Sequence, residues 1–169
     1  MTTDTTSGAD QAQQDALARP GRIDPRGPQF NAILTSVVLA LSLLAAPSAV
    51  GVALLAVQAL LFATGVLLGV RRTPAAYLFA TWVRPRLAAP THLEDPEPPR
   101  FAQGVGLVFA VVGLVGYLLG LPLLGLVATG LALVAALLNA AFGLCLGCEL
   151  YLLVRRVVPA RNTPVHPNV

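Results

Sequence analysis

The residues best suited to chemistry lie in one short stretch, Gly143-Leu144-Cys145-Leu146-Gly147-Cys148-Glu149-Leu150-Tyr151. The 169-residue chain has only two cysteines, and they form a single C-x-x-C. Two thiols at that spacing can close a small disulfide ring and exchange it with a partner's dithiol. The expected catalytic pair is therefore Cys145 and Cys148. Gly147 between them eases the bending that a disulfide needs, and Glu149 marks the water-facing edge. If the motif ends a membrane helix, the helix dipole and Glu149 both disfavour a thiolate. In that register Cys148 lies nearer water by about 4.5 Å of helix rise, so it is expected to attack and Cys145 to resolve. Two other readings stay open. The cysteines pack as small apolar side chains, or they supply half of a tetrahedral zinc shell that only a second copy completes.

Other candidates are few. His92 and His166 sit in Pro-rich polar segments with no Cys or His at ligand spacing, so no metal site is expected within one chain. All eleven basic residues are Arg, so a P-loop lysine is excluded, and no dinucleotide glycine loop is present. No cofactor is expected, and nothing points to nucleic acid. Gln58 and Asn139 are the clearest polar side chains inside apolar runs; they read first as interhelical hydrogen-bonding groups and second as lining of a path for a small sulfur species.

The elements that must position the motif follow from charge. Hydrophobic residues make up 56% of the chain and charged ones 11%, about half the charged share of an ordinary soluble domain. Two stretches, Gln29–Val70 and Phe101–Cys148, carry no formal charge. Each is about twice the roughly 20 residues that cross a bilayer as helix, so each folds back once. Pro47 and Pro122 mark the turns. The expectation is an all-α integral membrane protein with four transmembrane helices: Phe30–Ala46, Ala49–Val70, Phe101–Leu119 and Leu123 to about Leu146. Every arginine falls outside the two hairpin tips, which places both termini and the central loop on the cytoplasmic side of the membrane. The expected organisation is an N-tail over 1–28, a membrane domain over 29–158 and a C-tail over 159–169. Within the membrane domain, hairpins 29–72 and 101–156 flank a loop over 73–100. In that loop Pro74–Leu87, with Tyr77, Phe79 and Trp82, suits a short interfacial helix or hairpin, and Thr91–Pro99 an extended coil.

The two hairpins resemble each other. Asp24-Pro25-x-x-Pro28-x-Phe30 precedes the first, and Asp95-Pro96-x-x-Pro99-x-Phe101 precedes the second. A proline turn, a glycine pair (Gly65 and Gly69; Gly143 and Gly147) and paired arginines follow in both. This order implies a parallel repeat about an axis along the membrane normal. The glycine pairs suit close helix packing within the chain, or a homodimer.

Three segments carry a resemblance to a known family: Asp24-Pro25-Arg26-Gly27-Pro28; Pro99-Arg100-Phe101-Ala102-Gln103-Gly104-Val105-Gly106; and Leu138–Gly143 running into Cys145–Tyr151. Over roughly residues 22–157 the chain resembles the bacterial membrane family catalogued as domain of unknown function 4395. That resemblance implies thiol or sulfur chemistry, with a soluble thioredoxin-like or sulfurtransferase-like partner. The functional expectation is a membrane thiol-redox or sulfur-relay protein. A non-enzymatic scaffold, or a transporter of a small sulfur species with structural cysteines, is the alternative.

Overall fold

The computed structural model describes residues 21–157. In chain order its helices are α1 (Arg26–Ala45), α2 (Ala49–Leu68), the short α3 (Pro74–Leu78), α4 (Glu97–Leu118), α5 (Pro122–Phe142) and α6 (Leu146–Val157). α1, α2, α4 and α5 have 20, 20, 22 and 21 residues and are apolar enough to cross a bilayer; 20 residues of helix span about 30 Å. The chain is an all-α membrane protein. The two uncharged stretches fold back as expected, at Ala46–Ser48 and at Leu119–Leu121.

The four long helices form a ring in which α1 packs on α2 and α5, and α4 packs on α2 and α5. Leu39, Leu55, Ala59, Phe62, Ala110 and Ala132 meet at its centre. Large apolar side chains also cover the outside, among them Leu41, Leu60, Leu67, Val108, Leu126 and Val134. Contiguous apolar surface of this kind is a liability in water and matches lipid. Glycines let the backbones approach: a Cβ on Gly116 would lie 2.6 Å from the Gly125 nitrogen, and one on Gly106 would lie 2.7 Å from the Phe62 ring. Hydroxyls inside the bundle bond to backbone carbonyls, Ser42 to Gly51 and Thr129 to Gly125, both at 2.8 Å.

At the arginine-bearing end the two hairpins are tied together. Ile23 and Glu94 exchange both backbone hydrogen bonds at 2.9 Å. The Gln29 side chain donates to the Ala140 carbonyl at 3.2 Å, and Arg100 Nε donates to the Val66 carbonyl at 2.8 Å. The start of each hairpin thus holds the end of the other.

Several boundaries differ from the sequence expectation. α1 begins at Arg26 instead of Phe30. α4 begins at Glu97 instead of Phe101, because Pro98 and Pro99 fall in the first turn, where a missing N–H costs nothing. Thr91–Pro99 is therefore not all coil. The largest change is at the fourth span. It ends at Phe142, not near Leu146, because Gly143 adopts φ +68 and turns the chain left-handed. The C-x-x-C leaves the membrane helix and opens a separate one. Pro74–Leu87 is helical in large part: α3 runs into a wider π turn over Phe79–Val83 and a 3-10 turn over Arg84–Arg86, with Tyr77 and Trp82 exposed.

Candidate functional site

Gly143 and Leu144 interrupt the helix, and Cys145 then caps α6, which begins at Leu146. The Cys145 carbonyl accepts the Glu149 N–H at 3.0 Å, the first bond of the new helix. The Cys145 sulfur accepts the Cys148 N–H at 3.3 Å. An N-cap side chain satisfies a free N–H in this way, usually with an oxygen. Cys145 and Cys148 are joined by a disulfide with Cα atoms 5.2 Å apart, within the ordinary range for such bonds. Both residues are half-buried.

α6 is held against the start of α4. A Cβ on Gly147 would lie 2.6 Å from Cα and Cβ of Ala102. One turn further on, the Tyr151 and Phe101 rings pack at 5.6 Å, tilted by 51°. Arg155 lies over the Tyr151 ring at 5.7 Å and donates to its hydroxyl at 3.1 Å. Gly147 therefore serves close approach to a neighbouring helix. Gly65 is likewise filled from within the chain, by the Gln103 side chain at 2.7 Å. Gly65 and Gly147 are thus packed within the chain, whereas a Cβ on Gly69 or Gly143 would meet nothing within 4 Å.

The electrostatics reverse the sequence reading. The motif sits at the positive end of a helix, where the dipole favours a thiolate. Glu149 is exposed in the first turn and adds the only nearby formal negative charge carried by α6. Arg155 and Arg156 lie at the far end of α6, lining a cleft with Asp95 and Glu97.

The remaining candidates do not join the disulfide. Asn139 is half-buried on α5, and its backbone carbonyl accepts the Gly143 N–H at 3.0 Å; no side-chain hydrogen bond links it to either cysteine. Gln58 is buried on α2 and donates to Thr35 Oγ1 of α1 at 3.3 Å. His92 is exposed and pairs with Glu94 at 3.7 Å. His166 and the C-tail lie outside the described residues. Among the described residues no group of three or more His, Cys, Asp or Glu side chains could hold a metal ion. The sequence reading missed Ala102, Phe101 and Tyr151 as the dock for α6. Gly143, a helix-stopping residue directly after an apolar run, was the signal for the break.

A family model described as a domain of unknown function (DUF4395) matches residues 23–156. No curated protein and no solved structure matches the chain.

Proposed function

This chain belongs to the DUF4395 family, and from that premise we propose that it is a membrane-bound thiol–disulfide exchange protein working through Cys145 and Cys148. The observation that carries the reading is the disulfide at the N-terminus of α6, with one sulfur at the cap position. A thiolate formed there is stabilised by the Cys148 N–H and by the helix dipole. Gly143, Leu144, Leu146 and Glu149 around the pair are exposed, which leaves a soluble partner access. In the exchange, a thiolate of a thioredoxin-like dithiol attacks the Cys145 sulfur. The Cys145–Cys148 bond breaks, and Cys148 leaves with the electron pair and takes a proton. The partner's second thiol then attacks its own sulfur in the mixed disulfide and releases Cys145. Two electrons and two protons pass from the partner to this chain, and the partner is left oxidised. The reverse sequence oxidises the chain.

The order of the sulfurs is opposite to the sequence expectation. Cys145 forms the mixed disulfide, because the cap stabilises its thiolate as leaving and attacking group. Cys148 resolves. Glu149 tempers the thiolate, and Gly147 fixes the pair by holding α6 on α4.

The arginine distribution supports a cytoplasmic position for this end of the bundle and for both termini, in the cytoplasmic membrane. Disulfides facing the cytosol are uncommon, and those that occur are chiefly catalytic or redox-sensing. The segments at this end also repeat each other's contacts, as a parallel repeat requires. The test is acid-quenched alkylation of native membranes with a mass-tagged maleimide. Both oxidised and reduced forms are expected, and added reduced thioredoxin should shift inside-out vesicles toward the reduced form. A single redox state that no dithiol protein alters would refute the reading and leave a structural pair.

A further inference from the structure

Away from the cysteines, two cavities adjoin at the arginine-bearing end. The first, of about 350 Å³, lies between the starts of α1 and α4 and the α3 segment, and Arg22, Arg71 and Arg84 line it. The Arg71 and Arg84 side chains make no ion pair or hydrogen bond among the described residues, and Arg22 is 3.8 Å from the exposed carboxylate of Asp95. One acid, Asp24, also lines the cavity; its Oδ1 accepts the Arg26 N–H at 3.0 Å. The lining therefore carries a surplus of positive charge. The second cavity, of about 250 Å³, runs between α1 and α2 beneath α3, with Leu34, Val38, Leu61 and Leu78 on its walls. Asn31 and Thr73 line both, so the basic cavity and the apolar one are neighbours on either side of these two residues. Gln58 lines the inner part at 2% exposure, and its Oε1 has no hydrogen-bond partner.

Basic pockets between membrane helices recognise lipid headgroups, and apolar crevices beside them take acyl chains. We propose that these neighbouring cavities hold one anionic phospholipid, its phosphate among Arg22, Arg71 and Arg84 and one acyl chain between α1 and α2. A free phosphate ion would need the first cavity only; the crevice, apolar apart from Asn31, Thr35, Gln58 and Thr73, is what selects a lipid. Gln58 offers its open acceptor to water that follows the glycerol backbone or to a lipid hydroxyl. This site is separate from Cys145 and Cys148 and stands whether or not they cycle.

The experiment is native mass spectrometry of the full chain released from nanodiscs containing equal phosphatidylglycerol and phosphatidylcholine. Wild type should retain one phosphatidylglycerol. The double variant Arg71→Gln, Arg84→Gln should bind it about thirtyfold more weakly, taking roughly 1 kcal/mol per arginine near an anionic lipid. Val38→Trp, which fills the crevice, should also lose the lipid while keeping all three cavity arginines. Arg72→Gln, outside both cavities, should retain it and serves as the control for net charge. Monodisperse elution and unchanged helical circular dichroism show that each variant is folded; Leu61→Phe is the second crevice filler if Val38→Trp is not. Equal retention of phosphatidylcholine, or retention of phosphatidylglycerol in the double arginine variant, overturns the proposal. So does release of the lipid by inorganic phosphate alone, with no effect of filling the crevice, since that marks a free-anion site.

Discussion

The Cys145 sulfur and the Thr73 hydroxyl hold the same position, each at the cap of the helix that follows a membrane hairpin. Thr73 Oγ1 accepts the Ala76 N–H at 3.1 Å, and the Thr73 carbonyl accepts the Tyr77 N–H at 3.1 Å. Cys145 makes the matching pair with Cys148 and Glu149, at 3.3 and 3.0 Å. The likeness continues one turn on, where Phe79 packs on Phe30 at 5.9 Å and Tyr151 packs on Phe101 at 5.6 Å. One half carries a hydroxyl where the other carries a disulfide-bonded sulfur.

That position assigns the roles of the sulfurs. Cys148→Ser should accumulate a mixed disulfide through Cys145, and Cys145→Ser should trap little. Non-reducing gels of each variant, with peptide mapping of any adduct, check the assignment. Trapping through Cys148 alone would restore the order expected from the sequence.

The cap itself can be separated from redox chemistry. Under reducing conditions Cys145→Thr should keep the stability of the reduced wild type, while Cys145→Val should lose about 1 kcal/mol. Thermal unfolding in detergent measures both. Equal stability of the two variants would mean that the sulfur does not cap α6.

Docking of α6 depends on the absence of a side chain at Gly147. Gly147→Leu drives atoms into the Ala102 backbone, where even a Cβ would sit at 2.6 Å. The expected cost is about 1–3 kcal/mol, with α6 lifted from α4 and cleaved faster by protease. Protease sensitivity of the segment after Gly143 reports this, and wild-type resistance in the variant would contradict the packing.

Sidedness rests on the arginines. A fluorescent protein fused at the C-terminus should mature, and alkaline phosphatase at the same place should be inactive. A phosphatase fusion inserted at Pro122, in a hairpin tip, should be active. The converse pattern would invert the topology.

The spans were legible because bare charge and proline placement leave little choice for runs such as Gln29–Val70. Their inner packing was less so. Gly65 and Gly143 look alike in sequence, yet Gly65 is packed against Gln103 inside a helix and Gly143 ends one with a positive φ. A glycine four residues from another satisfies both patterns, and only the neighbouring helix decides. The cysteines were found by type, but their electrostatic setting was inverted by that single break. The pairing of Ile23 with Glu94 gave no signal, because two backbone bonds ask nothing particular of the side chains.

That pairing has a bearing on how the protein is made. The first hairpin emerges from the ribosome before Glu94 and Ala140 do, so Ile23 and Gln29 wait without the partners that later hold them. The groove at Gly65 stays open to lipid until Gln103 arrives. Insertion is thus settled hairpin by hairpin, while closure of the ring is postponed to the end of synthesis. A nascent chain stopped after the first hairpin is expected to be membrane-inserted yet open to quality-control proteases, which pulse-labelled truncations can reveal.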